Sequence, residues 1–254
     1  MILLDSPHQA KQYFSEVKSE KKTIGFVPTM GALHAGHGEL VKTALRENDL
    51  GVVSIYVNPT QFNQKSDFEK YPAQLDDDLK MLKSLGAHAV FAPRDSSSLY
   101  PDQFRYQLAL VEETKYLEDL YRPGHFSGVL SVVMKLLQII QPTRAYFGEK
   151  DYQQYHVISQ MAEAYFLDSE IIPCETIREP SGLAMSSRNV RLSPDGRKKA
   201  AEIYRVLKGQ GSLDEMRKLL TSSGFKVEYL DEMFGRRLVA AWLEEVRLID
   251  NVKI

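Results

Sequence analysis

The chain has little of what would confine it to a specialised class. Its 254 residues contain one cysteine, Cys174, so no internal disulfide can form, which fits a reducing compartment. Its longest apolar stretch, Val129 to Ile140, is about a dozen residues and is interrupted by Lys135 and Gln138, whereas a membrane span needs roughly 20. It reads as a buried helix, and no membrane partner is expected. There is no excess of positive charge either: 32 Lys and Arg stand against 34 Asp and Glu, for a net charge of -2. A sequence-independent nucleic-acid binder would carry a basic surplus, so no nucleic-acid partner is expected and any anion site must be local. No internal repeat or low-complexity segment is present. The first residues, Met1 to Asp5, turn polar at once and lack the basic start and apolar run of a signal peptide, which points to a cytoplasmic protein.

What is present is an average globular composition, 43% hydrophobic and 26% charged. Through the first two-thirds of the chain, short apolar runs alternate with longer helical patterns, the signature of βα units and a parallel sheet. The runs predict strands at Ile24 to Val27, Val52 to Val57, Ala89 to Phe91, Ala145 to Phe147 and Glu170 to Ile172. Helices are predicted at about 37–47, 74–85, 128–140 and 151–166. Phe104 to Val111 alternates as a strand would. Near Ile177 the pattern changes: a loop with Pro180 and Gly182 leads to helices at about 194–208 and 212–222. Strands follow at Phe225 to Tyr229, Leu238 to Ala241 and Arg247 to Ile249. The expectation is a Rossmann-like α/β domain over 1–177 and a smaller α+β domain over 178–254.

Four segments carry residues suited to chemistry. Met30-Gly31-Ala32-Leu33-His34-Ala35-Gly36-His37 runs from the first predicted strand into a helix. Its small residues allow backbone to approach a ligand, helix N-terminal N–H groups favour anions, and its two imidazoles can donate to phosphate. Zinc is the poorer reading, since no Cys or further His lies nearby; two surface histidines in a glycine-containing loop would also fit. Asn58 and Gln61 leave the second strand and can present amides to a small polar substrate at the sheet edge, although Asn-Pro also opens ordinary turns. Gly148-Glu149-Lys150-Asp151, followed by Gln154, again leaves a strand for a helix. It suits a phosphate-directed Lys, or merely a solvated charge cluster. Met185-Ser186-Ser187-Arg188 offers hydroxyls and a guanidinium to a triphosphate, but is common loop composition taken alone.

In this order, an HxGH element after the first strand and a basic Ser-Ser-Arg loop after the last resemble the HIGH and KMSKS signatures of the nucleotidylyltransferase superfamily. The strings PTMGALHAGH, NPTQF, RPGHFSGV, FGEKDYQQ and LAMSSRN, with LVAAWL and RLIDN near the end, resemble the pantothenate synthetase family over nearly the whole chain. The resemblance implies condensation of pantoate with β-alanine through a pantoyl-adenylate, using ATP and Mg²⁺ and releasing diphosphate and AMP. It implies that Met30 to His37, Gly148 to Asp151, Ile177 and Met185 to Arg188 serve ATP. His34 and His37 would meet the phosphates, with His37 the acid-type candidate, Lys150 supporting the pantoate carboxylate and the transferring phosphate, and Met185 to Arg188 closing on the triphosphate. Gln61 and Gln154, with Asn58 beside them, would hold pantoate and the incoming amine. Magnesium would be held chiefly by phosphates, with no all-protein metal site. A homodimer is implied by resemblance alone.

Two departures stand out. After Tyr71-Pro72 the family usually has Arg-Thr, where this chain has Ala73-Gln74, and the stretch from Phe225 to Leu238 is shorter than usual. Asp77 and Asp78, on the helix predicted at 74–85, could help magnesium through water, but on a helix such residues are more often solvated. Two rivals remain from the residues: a nucleotidylyltransferase that leaves AMP or CMP on a phosphorylated substrate, and a nucleotide-binding module without turnover. Neither accounts for glutamines at an amide-forming site together with intact His34, His37, Lys150 and Arg188.

Overall fold

The computed structural model describes residues 1–63, 65–111 and 116–254, which pack as two units. The larger takes in Met1–Leu33, His37–Gly148 and Gln153–Cys174; the smaller takes in His34–Gly36, Glu149–Tyr152 and Glu175–Ile254.

Among the described residues of the larger unit, the strands are β1 (Ile2–Leu4), β2 (Ile24–Thr29), β3 (Leu50–Ile55), β4 (Ala89–Phe91), β5 (Arg144–Gly148) and β6 (Glu170–Cys174). They form one parallel sheet in the order β1-β4-β3-β2-β5-β6. The central strands are nearly continuous apolar runs because both faces of such a sheet are covered; β3 is buried at every residue. The helices of this region are α1 (Pro7–Ser19), α2 (Ala35–Glu47), α3 (Lys65–Glu69), α4 (Leu75–Leu85), α5 (Ser96–Leu99), α6 (Glu118–Tyr121), α7 (His125–Ile140) and α8 (Tyr152–Ala164). Ala10, Phe14 and Val17 of α1 join Phe126, Leu130 and Leu137 of α7 against one face of the sheet. Leu40, Val41 and Ala44 of α2 join Leu82 of α4 against the other. The Rossmann-like class expected from the alternating pattern is therefore the fold observed.

Chain order sets where this sheet can bind. From β2 the chain moves outward through β3 to β4, then returns to place β5 on the other side of β2, and ligand crevices of open α/β sheets lie at such reversals. Ladder pairing of β2 with β5 joins Gly25 to Arg144 and Phe26 to Ala145 and goes no further. The last three residues of each strand run on toward the carboxyl edge without pairing to each other.

The strand expected at Phe104 to Val111 is not formed. Its alternation has another cause: the Phe104 ring lies 4.2 Å from that of Tyr100, Leu108 and Leu110 rest against the core, and the Leu108 N–H donates to Ser131 Oγ on α7. The segment is irregular and lies on a helix, and Tyr106, which the alternation would bury, is exposed. Neither β1, three residues long, nor α1 stands out in the sequence, although Ser6 caps α1 and Pro7 opens it in the usual way.

The smaller unit packs α9 (Pro194–Ala200), α10 (Glu202–Lys208) and α11 (Leu213–Ser222) with an antiparallel sheet, β7 (Lys226–Met233), β8 (Arg236–Leu243) and β9 (Val246–Lys253), in the order β7-β8-β9. Its own core contains Leu183, Ile203, Leu207, Met216, Leu220, Phe225, Val239 and Leu248. The single helix expected at 194–208 is broken at Ala201, which ends α9 and begins α10. Within the segment from Phe225 to Leu238, β7 and β8 are joined by a two-residue hairpin turn. Phe234 and Gly235 both take left-handed φ, 57° and 67°, the pairing that matches the twist of adjoining strands.

At the start of α11, Ser212 Oγ accepts from Glu215 N while the Glu215 carboxylate accepts from Ser212 N. Ser212→Ala removes half of this reciprocal cap and is expected to lower unfolding free energy by about 1 kcal/mol. A denaturant midpoint identical to wild type would show that α11 does not depend on it.

Candidate active site

The turn leaving β2 carries two consecutive left-handed residues, Gly31 at φ 80° and Ala32 at φ 50°. Such a turn directs successive N–H groups to one side with no ladder to receive them. The side chain that receives them is Asp78 of α4: its Oδ2 accepts from Ala32 N at 2.9 Å and its Oδ1 from Leu33 N at 2.7 Å. Asp78 is only 4% exposed. Burial raises its pKa from the usual carboxylate value, and the two N–H donors oppose that rise. The solvated role expected of Asp78 is thus overturned, because the helix face that carries it is turned to a loop with orphan donors. Asp77, its neighbour, does lie in solvent and pairs with Lys80 at 2.8 Å.

The next residues carry the HxGH element. Gly36 N donates to His34 Nδ1 at 3.1 Å, so Nε2 bears the proton of the neutral ring. A Cβ on Gly36 would come within 2.9 Å of His34 Cε1 and Nδ1, which explains the glycine between the two histidines. The His34 pKa is pushed down to about 4, first by burial and then by the Lys150 ammonium, with Asp151 acting in the opposite sense. His34 is therefore a neutral donor at physiological pH. His37 stands in the first turn of α2, half-buried.

In the larger unit, Gln61 ends the short 3₁₀ turn Pro59–Gln61 that follows β3. Its amide is held at both ends: Nε2 donates to Met30 Sδ at 3.0 Å, and Oε1 accepts from Asn58 Nδ2 at 3.2 Å. Asn58 is buried, and its Nδ2 also donates to Gly128 O, while its Oδ1 accepts from Thr60 Oγ1 and Tyr100 OH. The side chain placed by sequence beside a substrate is engaged on both amide atoms with the protein and orients Gln61.

The string RPGHFSGV supplies the other half of this support. Arg122 donates to His125 Nε2 at 3.1 Å, which leaves Nδ1 as the protonated nitrogen, and that Nδ1 donates to Gln61 O at 2.9 Å. Gly128 lets α7 lie against the turn, since a Cβ there would meet Thr60 O at 2.5 Å. Gln154 is half-buried in the first turn of α8. Gln153 beside it is buried and bonded to Glu118 N and Tyr116 O.

The smaller unit holds the remaining candidates. Lys150 lies 3.5 Å from Asp151 in the 3₁₀ turn Glu149–Asp151, which follows Gly148 at the end of β5. Ile177 O accepts from Met185 N at 2.9 Å and Glu179 N donates to Leu183 O at 2.8 Å. Ile177 and Met185 are thus paired across a small hairpin whose turn contains Gly182. Ser186 caps the turn Ser187–Arg191 by accepting from Arg188 N, and the buried Asn189 ties the loop down by donating to Ala184 O and Glu179 Oε1. Among the described residues no group of three or more His, Cys, Asp or Glu is arranged to hold a metal.

A parallel sheet opening at a reversal of strand order, with an HxGH helix start at its edge, defines a nucleotide-binding α/β protein of the HIGH-bearing class. A family model for pantoate–β-alanine ligase matches residues 2–253. The pantothenate synthetase of Bdellovibrio bacteriovorus is 52% identical over 93% of this chain and 94% of its own length. That of Coxiella burnetii is 45% identical over 94% of each. The structure of pantoate–β-alanine ligase from Francisella tularensis, complexed with β-γ ATP and β-alanine, superposes with a TM-score of 0.94 at 42% identity, covering 100% of this chain and 97% of that one. The Thermus thermophilus pantothenate synthetase gives 0.91 at 38% identity, covering 100% and 99%. The chain belongs to the pantoate–β-alanine ligase family, and its reaction is the ATP-dependent joining of pantoate to β-alanine.

Two outcomes test the site geometry. Asp78→Asn offers one acceptor oxygen to two N–H groups and should cost about 1–3 kcal/mol of stability, the penalty of a buried donor left unpaired; an unchanged denaturant midpoint would remove the assigned bracing role. For His34, the unfolded chain takes up a proton near pH 6.5 whereas the folded ring resists until about pH 4. Stability should therefore fall as pH drops through that window, less so in His34→Gln. An imidazole titrating near 6.5 by NMR would contradict the burial.

Proposed function

We propose that the chain performs this joining through an acyl-adenylate, with roles divided as follows. A pantoate carboxylate oxygen attacks the α-phosphorus of ATP, diphosphate leaves, and pantoyl-adenylate forms. The amine of β-alanine then attacks the carbonyl, AMP leaves with that carboxylate oxygen, and the amine's proton passes to solvent. The first step is needed because oxide is a poor leaving group and AMP a good one. Its barrier is lowered by position and by charge stabilisation on the departing diphosphate.

His34 and His37 are assigned to phosphate oxygens, with His37 as the acid-type group. His34 is suited to donate through Nε2 without carrying charge, given its depressed pKa. Lys150 and Arg188 supply positive charge, and Ser186 and Ser187 supply hydroxyl donors. Met30 to Leu33, Ala35, Gly36, Gly148, Glu149, Asp151, Ile177 and Met185 complete the nucleotide segments. Within them, the N–H groups of Ala32 and Leu33 are committed to Asp78 and serve by fixing the turn. Gln61 and Gln154 are assigned to pantoate, with Gln61 also facing the amine and Asn58 holding Gln61. The observation that carries this reading is the Gln61 amide, fixed at both ends beside Met30 of the nucleotide segment.

Magnesium is assigned as an ion brought in on the nucleotide, with phosphates and water as its chief ligands. Bound there, it supplies charge neutralisation to the phosphates. No described helix is long and apolar enough to cross a membrane. On the family's example we also assign the chain to the cytoplasm, as a homodimer in which residues 178–254 act as a lid domain.

Oxygen isotope transfer tests the mechanism. Pantoate labelled with heavy oxygen in its carboxylate should give labelled AMP and unlabelled diphosphate, dependent on β-alanine. A phosphoryl-transfer ligase would give ADP and labelled phosphate, and a nucleotidylyltransferase would keep the nucleotide in its product. ADP, or AMP without label, would rule out the adenylate.

A further inference from the structure

The string RLIDN, which carries family resemblance but no role in the assignments above, ends the chain on β9. Its Asp250 and Asn251 are buried, 5% and 3% exposed. They do not face each other's work. Asn251 Nδ2 donates to two successive carbonyls of the Lys150 turn, Glu149 O at 2.8 Å and Lys150 O at 3.0 Å. Its Oδ1 accepts from Arg236 NH1 at 2.7 Å, and Arg236 NH2 donates to Glu149 Oε1 at 2.6 Å. The Arg236 guanidinium also stacks 4.0 Å above the Tyr152 ring, at the other end of the same turn. The Asp250 carboxylate accepts from both terminal nitrogens of Arg178, at 2.6 and 2.8 Å. Arg178 NH1 in turn donates to Gly182 O, its backbone pairs with Ala184, and its guanidinium lies 3.7 Å from the Tyr204 ring.

We infer that Asp250 and Asn251 are positioning residues for adenylation: Asp250 holds the hairpin that leads to Met185–Arg188, and Asn251, the next strand position, holds the Lys150 turn. The physical need is plain. A 3₁₀ turn of three residues has no internal ladder to fix it, and an ammonium on a flexible stem can act on a phosphate only if its backbone is placed. Adjacent strand residues point to opposite faces, so a dipeptide on β9 can reach two separate segments at once. Paired carbonyls received by one amide, and an Arg locked by a bidentate carboxylate, fix direction as well as distance. Neither residue touches substrate in this scheme; both act through Lys150 and the Met185–Arg188 loop. The inference rests on the assignment of those segments to ATP.

Asn251→Asp is the informative variant. It keeps the acceptor for Arg236, adds a charge partner to that buried guanidinium, and turns an oxygen toward the carbonyls of Glu149 and Lys150 in place of the two N–H donors. Three quantities are measured on the full chain: pantoate-dependent exchange of label between diphosphate and ATP, amidation of chemically supplied pantoyl-adenylate by β-alanine, and the thermal midpoint. Exchange should fall by about 10²-fold, the scale of a misplaced catalytic group. Amidation of the supplied adenylate should be retained, because diphosphate has already left and the charge that stabilised it is not called upon. Asp250→Asn, which weakens the hold on Arg178, should raise KM for ATP in exchange and leave KM for β-alanine in amidation unchanged. A loss of both half-reactions by the same factor would mark a structural role only and overturn the inference, as would full exchange in Asn251→Asp or an unaltered KM for ATP in Asp250→Asn. Absence of exchange in the wild type, with pantothenate still formed, would instead remove the adenylate reading beneath it.

Discussion

The turn between β2 and α2 rests on a single buried carboxylate. Two left-handed residues in succession turn Ala32 N and Leu33 N away from any strand or helix partner, and Asp78 accepts both. Bonds from backbone N–H to an ionised carboxylate contribute more than neutral ones, about 1.5–3 kcal/mol each, and here they oppose part of the cost of burying the charge. With that turn fixed, α2 begins at Ala35, Gly36 lies against the His34 ring, and His37 falls in the first helical turn. The turn that leads into the HxGH element therefore depends on a residue on another helix, more than forty residues later in the chain.

The same economy recurs among the buried polar side chains. His125, Asn189 and Asn251 each donate to a backbone carbonyl of a turn or loop, and Gln153 bonds to Tyr116 O and to Glu118 N at the start of α6. The segments at the carboxyl edge of a parallel sheet have left the ladder, and their N–H and C=O groups still require partners. Side-chain amides and imidazoles meet that requirement with fixed direction, while a solvated loop would meet it with water and no fixed place. Rigidity of a site built on loops thus comes from buried amides beneath it. Gly128 contributes the complementary device, an absent side chain that lets α7 approach the Gln61 turn.

The hydrogen bonds of His34 and His125 also show two different uses of one residue type. At His125, Arg122 donates to Nε2 and so obliges Nδ1 to donate to Gln61 O. At His34, a backbone N–H occupies Nδ1 and leaves the proton on Nε2, while burial and Lys150 keep the ring neutral. One imidazole is a brace and the other a donor, and the tautomer of each is set by what its second nitrogen meets.

By itself the sequence determined the parallel sheet, because alternating apolar runs and helical periods admit few other packings, and it determined the small α+β region at the C-terminus. It also brought three of the motif segments, those beginning at Met30, Asn58 and Gly148, to strand ends, since residues immediately after an apolar run emerge at the carboxyl edge. Residues that act through contact over long separations were invisible to it. Asp78 reads as one more acid in an exposed helix, Asn58 as a turn opener, and RLIDN as the end of a strand, because nothing local reveals which backbone each will meet. The alternation of Phe104 to Val111 misled for the same reason: Phe104, Leu108 and Leu110 are covered by the core while Tyr106 between them is exposed, and nothing local reveals which of them the fold will cover. Only tertiary packing decides which buried polar atom receives which orphan backbone group, and that pairing, more than the identity of the motifs, sets the geometry of the site.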